Sequence, residues 1–483
     1  MIPTFFKHAG ALFGALTLLC IVSCSVPQVA TRTVTAPVPD AFAGTAATAD
    51  TLELPVARPW NEFFTDPYLQ SLIDTALQRN QESNILLQRI AIARNEIQAR
   101  KGEYLPTVDA GIGSDVEKVG RYTRFGALED NLEINEDREF PEFLTNIQLG
   151  LYASWELDVW KQLRNARKVA VLEYLATVEG RNFVITNLVA EIANSYYELL
   201  SLDSELQNIR STIAIQEDAL RVVSLLQQAG RSNTLAIRRF EAEVEKNRSE
   251  IYLVQQEIAA VENRINFLAG RTPGPIPRTA SAFLDVQPVS VRTGIPSQLL
   301  RNRPDIRQAE LELAAADLDV NVARANFLPS FGIRAGLGYQ AFNLRYLLKT
   351  PESLLMSLAG DAMAPLVNRN AIEAEYQNAG ARQVEAAYEY ERTILDAYRE
   401  VATEVSNIDK LADAYERKAQ QVALLDEAIE VSNKLFQSTR AEYLEVLLTQ
   451  RDALEARTDL IETRRDQLVA TVNLYQALGG GWK

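Results

Sequence analysis

Two long stretches of the chain, residues 142–272 and 366–483, contain none of its 18 prolines and few of its glycines. Both stretches are rich in Ala, Glu, Leu, Gln and Arg, a composition that favours helices much longer than those of ordinary globular domains. A helix of roughly 65 residues is about 100 Å long, at 1.5 Å per residue. We therefore predict paired long helices over about 158–269 and 366–478, packed against one another as a coiled-coil assembly.

Shorter segments alternate between apolar residues and polar or small ones. Apolar residues occupy every second position from Ile147 to Leu157 and from Phe331 to Tyr339. This alternation over about ten residues is typical of a transmembrane β-strand, although a half-buried strand of a soluble sheet gives the same pattern. We predict strands at about 105–115, 146–157, 330–340 and 353–364. If they span a membrane, several chains must share one barrel, because a closed membrane barrel needs at least about eight strands.

The two halves of the chain repeat one another. The segment from Leu77 to Pro106 recurs from Leu300 to Pro329, an offset of 223 residues. Later landmarks such as Gly270 and Gly479 are offset by 209, because the first copy carries a longer polar insertion at 117–142. A duplicated unit is the simplest explanation. The predicted repeats are 60–282 and 283–483, each with a helix, two strands and two long helices joined by a turn.

The N-terminal segment has the layout of a secretory signal. Lys7 precedes an apolar run from Ala9 to Val22 that is too short to span a bilayer stably. The run ends in Ile21-Val22-Ser23-Cys24, which resembles a bacterial lipobox, in which the cysteine becomes the acylated first residue. An ordinary cleaved signal with a chance cysteine is the alternative. We predict a lipoprotein signal at 1–23, a lipid on Cys24 and an N-terminal tether at 24–59.

The remaining composition narrows the functional classes. The only histidine is His8 and the only cysteines are Cys20 and Cys24, so cleavage before Cys24 leaves no histidine and one cysteine. This excludes Ser-His-Asp and Cys-His catalysis, His-rich metal sites and disulfides. A carboxylate-only enzyme is the one catalytic class left, and we expect no enzyme, no metal and no cofactor apart from the covalent lipid.

Charge and hydropathy bear on the partners. The net charge of −15 argues against a nucleic-acid partner, because phosphate binding needs a basic surface. No apolar run after the signal has the length of a membrane-spanning helix, so any crossing of a membrane would have to use β-strands.

An ordered series of motifs runs through nearly the whole chain. With these motifs the chain resembles the TolC-like outer-membrane efflux proteins, in particular the lipoprotein branch of NodT/OprM type. Only residues 26–59 and 117–142 have no clear counterpart in that family. The motifs are Trp60 to Leu69, Ser154 to Trp160, Val189 to Ala193, Gly294 to Ser297, Leu299 to Ile306 and Leu474 to Trp482.

The resemblance implies a mainly α fold with a β-barrel. Three chains of four strands would form a twelve-stranded barrel in the bacterial outer membrane, on a tube of long helices in the periplasm. It also implies an exit duct for drugs or other small molecules, loaded by a periplasmic adaptor protein and an inner-membrane transporter of the RND type. A channel for protein secretion and, from a different class, a coiled-coil scaffold lipoprotein without a channel are the alternatives.

The turns between paired helices, Gln228 to Leu235 and Ser438 to Leu447, are the predicted periplasmic tips. The resemblance implies that the family closes its aperture and meets the adaptor there. Arg231 and Arg440 stand at equivalent places, as candidates for adaptor contact or for ion pairs that hold the tip closed; solvated turn residues are the alternative. The tip candidates are Gly230, Arg231, Arg440 and Glu442.

The gate candidates follow the second turn. Phe436-Gln437-Ser438-Thr439 stands where the family usually has Tyr-x-x-Gly, so the turn glycine is missing. Leu444 matches the family's apolar gate position, Glu445 one of its acidic positions, and Leu448 stands where many relatives carry a pore-lining Asp. We hypothesise that Leu444 and Leu448 form an apolar constriction with Glu445 at its edge. A hydrophobic seam between neighbouring helices is the alternative.

Overall fold

The computed structural model describes residues 26–34, 59–135, 138–279, 283–289, 298–438 and 440–482. The predicted signal, Cys24 and most of the predicted tether lie outside these residues. The described chain is mainly helical and carries a sheet, which confirms the predicted fold class. The helices are α1 (Trp60–Phe63), α2 (Pro67–Arg79), α3 (Gln81–Glu103), α4 (Arg124–Glu129), α5 (Gln162–Gln228), α6 (Thr234–Leu268), α7 (Leu299–Asn302), α8 (Pro304–Ala325), α9 (Asn370–Gln437) and α10 (Tyr443–Ala477). The strands are β1 (Thr107–Glu117), β2 (Glu133–Asn135), β3 (Arg138–Glu139), β4 (Leu144–Glu156), β5 (Ser330–Ala341) and β6 (Leu354–Met363).

One compact unit contains the sheet, in residues 26–33, 92–174 and 311–387. Its four long strands are antiparallel throughout, in the order β1-β4-β5-β6. Their ends lie within two residues of the predicted ones. The polar insertion 117–142 contains α4 and the hairpin β2–β3, which the sequence pattern did not predict. None of the described helices combines the length and apolar character needed to cross a membrane.

The motif around Trp160 forms the junction between β4 and α5. The two carboxylate oxygens of Asp158 accept hydrogen bonds from the backbone N–H groups of Leu163 and Arg164, each at 3.0 Å, and so cap the start of α5. The indole N–H of Trp160 donates to the carbonyl oxygen of Pro329 at 2.7 Å, directly before β5. The motif therefore ties the strand of the first repeat to the start of the sheet segment in the second.

The other compact unit, in residues 59–91, 175–279, 283–289, 298–310 and 388–482, holds the main apolar core. The N-terminal helices α1 and α2 pack on α5 and α10 there. Phe63 stacks on Tyr475 at a centroid distance of 4.0 Å, and the Tyr196 hydroxyl donates to a carboxylate oxygen of Asp66 at 2.7 Å. Burial raises the pKa of Tyr475 to about 12, so this phenol stays neutral at any physiological pH.

The two halves of the chain make matched contacts. Helix α6 (Thr234–Leu268) and helix α10 (Tyr443–Ala477) have the same length and correspond end to end at the offset of 209. Each helix is followed by a glycine with positive φ, Gly270 or Gly479. Each glycine lies so close to the backbone carbonyl of a residue much earlier in the chain that a Cβ would overlap it. The carbonyl belongs to Arg79 in the first repeat and to Asn302 in the second, at the offset of 223.

The next residue along the chain is Asn80 in the first repeat and Arg303 in the second. Both side chains donate a hydrogen bond to a carbonyl at the end of the long returning helix. The Asn80 amide donates to the carbonyl oxygen of Leu268 at 2.9 Å, and the Arg303 guanidinium donates to that of Ala477 at 2.9 Å. In both repeats this contact satisfies a carbonyl at the end of the long returning helix, where the helix itself supplies no donor. The repeat motif that begins at Leu77 and at Leu300 therefore stabilises the end of a long helix.

Arg303 is also the centre of a charge cluster. Its side chain is 6% exposed and pairs with Asp305 and Glu400, each at 2.7 Å. Burial lowers the pKa of the guanidinium, but the hydrogen bonds and negative charges of these two acids outweigh burial and leave the pKa raised. Arg303 therefore remains charged and links the start of α8 to Glu400 in α9 and to the end of α10.

Candidate functional site

The four long strands place most of their apolar side chains on one face of the sheet. Leu151 lies opposite Leu337, which lies opposite Met356, and the same alignment continues in the rows above and below. Ile112 and Leu358, also on this face, are 78% and 80% exposed in the single chain. A continuous apolar surface of this extent, on strands of ten or more residues, fits contact with lipid and not with water.

The opposite face carries glycines and polar side chains. Gly150 and Gly338 are paired in register, and a Cβ at Gly338 would lie 2.7 Å from the Cα of Gly150. Glycine at such positions permits close approach and sharp bending of adjacent strands. On the same face Arg334 lies 3.8 Å from Asp361. The sheet therefore separates a lipid-compatible side from a polar side.

Both outer strands of the sheet have an open edge. Within the described residues, β1 pairs only with β4 and β6 pairs only with β5. Open edges of long strands expose rows of backbone N–H and C=O groups that readily pair with another strand. The sheet is therefore incomplete as a membrane-spanning structure in the single chain.

The predicted tip residues lie in two tight turns of similar construction. Gly230 follows α5 with φ of 72°, and the backbone N–H of Arg231 donates to the carbonyl oxygen of Leu226 at 2.8 Å. The N–H of Arg440 donates in the same way to Leu435 at 2.9 Å. A bond from a residue to the carbonyl five positions earlier is the defining contact of the Schellman motif at a helix C-terminus. The two arginines are therefore structurally equivalent.

The turns differ where the returning helices begin. The Asn233 side chain accepts a hydrogen bond from the N–H of Ala236 at 2.9 Å and caps α6. Glu442, its counterpart in the second turn, stands at the N-cap of α10 and makes no side-chain capping bond within the described part of the chain. The lack of such a cap costs about 0.5–2 kcal/mol. The second turn is therefore held less firmly at this position; Thr439, which stands where the first turn has Gly230, lies outside the described residues.

An apolar cluster joins the two helix pairs close to the tips. Phe240 is fully buried, and Phe436, Val446 and Leu447 are at most 9% exposed. The turns were predicted from the sequence but this cluster was not, although the spacing of Phe436, Val446 and Leu447 from the turn was a usable signal. The cluster fixes the two tips to each other.

The gate candidates lie outside this cluster. Leu444 is half-buried, Leu448 is 37% exposed, and both lie on one face of α10, one turn apart. Glu445, in the first turn of α10, is exposed and is favourably placed for the helix dipole. The face with Leu444 and Leu448 therefore has no complete packing partner among the described residues, and the constriction stays a prediction.

Replacing both Leu444 and Leu448 with Ser is expected to raise the single-channel conductance in planar bilayers, because a polar lining removes a hydrophobic barrier. The double substitution is best compared with Leu424→Ser, which changes an exposed leucine on α9. An unchanged conductance with a lower thermal stability would assign the two leucines to a hydrophobic seam instead.

Four carboxylates lie near one another on the long helices. Burial raises the pKa of Glu205, and the neighbouring charges of Glu257, Glu462 and Glu250 raise it further. Glu205 is half-buried and the other three acids are exposed in the single chain, so this group concentrates negative charge at the surface of α5, α6 and α10.

A two-faced sheet with open edges, joined to paired long helices, defines a class of outer-membrane channel protein. The family model described as outer membrane efflux protein matches residues 72–271 and 295–480. The chain therefore belongs to the outer membrane efflux protein family. It is a channel component of the bacterial outer membrane that works in efflux systems, and it is not an enzyme.

Individual relatives extend over most of the chain. The cation efflux system protein CusC of Escherichia coli O6:H1 is 29% identical over 425 residues, 88% of each chain. The pyoverdine export outer membrane protein OpmQ of Pseudomonas aeruginosa is 28% identical over 429 residues, again 88% of each. A crystal structure of CusC superposes with a TM-score of 0.81 at 25% identity, covering 94% of this chain and 99% of that one. The resemblance to the TolC-like family is thereby confirmed.

Proposed function

We propose that this efflux channel is the exit duct of a tripartite pump and that it works as a homotrimer. Three copies of the four-stranded sheet would close into a twelve-stranded barrel, which carries cargo through the outer membrane without using energy itself. Membership of an efflux family already implies a periplasmic adaptor and an inner-membrane transporter as partners. The trimer and a transporter of the RND type are the finer parts of the proposal.

The observation that carries the proposal is the sheet, with one apolar face, one polar face and two open edges. Its strands alternate in direction, so β6 of one copy runs antiparallel to β1 of the next. Copies can therefore be added without breaking the antiparallel pattern, and the ring has an even number of strands, as bacterial barrels require. In the closed ring the apolar face would contact lipid and the polar face would line the lumen.

The number of copies comes from the family resemblance and not from the sheet alone. Two copies would give eight strands and three would give twelve, and both are sizes that membrane barrels adopt. The family implies three. A lumen of twelve strands is also wider than that of eight, which side chains largely fill, and so suits the passage of a solute.

The cargo is proposed to be small molecules or ions. CusC is named for cations and OpmQ for pyoverdine, although both are about equally similar to this chain. Relatives with such different cargo argue that the transporter and the adaptor select it. The tips with Arg231 and Arg440 are the proposed contact with the adaptor.

We place a covalent lipid on Cys24, as the lipobox-like sequence indicates. One acyl chain alone binds a membrane only marginally, and stable attachment takes a second signal. With a shared barrel in the membrane, the lipid would be an auxiliary anchor for a protein that is already embedded. The proposal needs no other cofactor.

The test is a paired measurement on the purified protein in detergent and in planar bilayers. Native mass spectrometry is expected to show three chains per particle, and the same preparation is expected to give discrete conductance steps. A monomer that gives no current would contradict the exit duct, and a conducting particle of two chains would contradict the trimer alone.

A further inference from the structure

The N-terminal segment Val26–Thr33, called the strap here, lies along helix α9. Val26, Val29 and Arg32 are half-buried, whereas the residues between them are exposed. A period of three matches an extended, left-handed strand of the polyproline II type, which places every third side chain on one side. The strap therefore presents one face to the helices beneath it.

A glycine of α9 makes room for the strap. A Cβ built at Gly380 would overlap the Cγ1 atom of Val29, and would lie 3.1 Å from its Cβ and 3.3 Å from the carbonyl oxygen of Ala30. The valine side chain is short and stiff and the carbonyl is backbone, so neither can move aside without displacing the strap. Any larger residue at position 380 would clash with the strap and prevent this contact.

One turn of α9 beyond Gly380, a side-chain amide forms hydrogen bonds with the backbone of the strap. The Gln383 carbonyl oxygen accepts a hydrogen bond from the N–H of Arg32 at 2.8 Å, and its amide donates to the carbonyl oxygen of Arg32 at 2.9 Å. The pair copies the hydrogen bonds that a neighbouring β-strand would supply. It satisfies both backbone groups of one strap residue without reading its side chain.

An apolar cluster seats the rest of the strap. Val26 and Val29 pack against a buried cluster that contains Ala323 of α8, Phe327 and Tyr376. The rings of Phe327 and Tyr376 meet edge to face at 5.6 Å. Phe327 lies just before β5, and Tyr376 lies in the first turns of α9, just after β6. The strap therefore joins the two segments that lead into and out of the β5–β6 hairpin.

The first repeat has no glycine at the equivalent position. At the offset of 209, Gly380 corresponds to Val171 in α5, a branched residue that would leave no such space above its helix. The glycine is therefore a property of the second repeat alone. Glycine within a helix costs about 0.5–1 kcal/mol relative to alanine, so its presence at position 380 has a reason other than helix stability.

We propose that the groove between α8 and α9 is a binding site for the mature N-terminus, with Gly380 as its steric key and Gln383 as its hydrogen-bonding partner. Contacts at Val29 and Arg32 run in the same direction as Gly380 and Gln383, so earlier residues lie towards the start of α9. From Val29 to Cys24 the chain can span about 16 Å at 3.1 Å per residue, and from Gly380 to Asn370 the helix spans about 15 Å. The site thus lets the lipidated cysteine reach the level where β6 passes into α9.

The lipid placement rests on the proposed function, whereas the docking of the strap does not. A docked strap fixes Val26 on the cluster of Phe327 and Tyr376, so a lipid on Cys24 would be attached two residues from a fixed point. The lipid would then be attached at a defined place on the barrel and not on a loose tether.

Trypsin tests the docking directly, because Arg32 lies in the strap and its cleavage releases residues 24–32 with the lipid. Cleavage by a protease follows the population of the undocked state. We expect slow cleavage at Arg32 in the wild-type protein in detergent. Gly380→Ala is expected to speed it by about tenfold or more, since overpacking of this kind displaces the weaker partner.

Two further variants make the result specific. Gly102→Ala is the matched control, because Gly102 is also a helical glycine and no described atom lies within 4 Å of the position that its Cβ would take; its cleavage at Arg32 should equal that of the wild type. Adding Val29→Gly to Gly380→Ala removes the overlap with Cγ1 but also the packing of Val29 on Phe327 and Tyr376, so cleavage should be slower than in Gly380→Ala alone and faster than in the wild type. Intact-mass spectrometry of the truncated chain gives the rates.

The proposal is overturned if Gly380→Ala is cut at the wild-type rate, or if adding Val29→Gly does not slow the cleavage of Gly380→Ala. Conductance of the same wild-type preparation separates the two proposals. A folded protein that protects Arg32 but carries no current would leave the strap site intact and would contradict the exit duct.

Discussion

Replacing Leu151 with Arg is expected to remove most of the assembled channel from the outer membrane. Leu151 lies near the middle of β4, on the apolar face between its neighbours Ala110 and Leu337. An arginine on the lipid side near the bilayer midplane costs about 2–4 kcal/mol per chain. The proposed trimer carries three copies, so the cost is about 6–12 kcal/mol per barrel. The amount of oligomer in the outer-membrane fraction measures the effect.

The matched control is Gln148→Arg, in the same strand but on the polar face. Gln148 pairs with Gly113 and Gln340, where a longer polar side chain would project into the proposed lumen. This variant should assemble in normal amounts and change only the conductance or its ion preference. Equal assembly of both variants would show that the apolar face does not contact lipid.

Replacing Arg303 with Met is expected to lower the free energy of unfolding by about 3–5 kcal/mol per chain, the usual cost of removing one partner of a buried ion pair. The substitution keeps the length of the side chain but leaves Asp305 and the carbonyl oxygen of Ala477 without their donor. The denaturation midpoint of the helical signal in urea is the appropriate measurement, with the slope checked for a change in the unfolded state.

Arg301→Met is the control for Arg303→Met, since it removes the same charge from an exposed residue two positions earlier. Its effect should stay within about 0.5 kcal/mol, as for most surface substitutions. Similar losses of unfolding free energy in the two variants would mean that the cluster around Arg303 does not stabilise the end of α10.

The long helices and the two central strands could be predicted because their signals are local. Alternation predicts β4 and β5, and the absence of proline predicts the long helices. The turns at Gly230 and near Ser438 follow from the match between the two halves of the chain and from the family resemblance. The contacts of Arg303 could not be predicted in this way, because its partners Glu400 and Ala477 are distant in sequence and depend on how the helices return.

Other features could not be predicted from local sequence patterns either. Gly380 looks in the sequence like an ordinary weak point in a helix, and only its contact with Val29 gives it a role. The insertion 117–142 lacked a clear period, so its small helix and hairpin were missed. Leu444 and Leu448 were placed on one face by their spacing, but a single chain does not contain the surface that this face meets.

The equal lengths of the helix hairpins constrain how such a chain can evolve. The apolar cluster at the tips takes side chains from both pairs, so it forms only if both hairpins end at the same level. An insertion of two helical turns in one hairpin alone would lift Phe240 away from Phe436 and Val446 by about 11 Å. Changes in the reach of the tips would therefore require matched insertions in both repeats, and duct length should vary among relatives in paired steps.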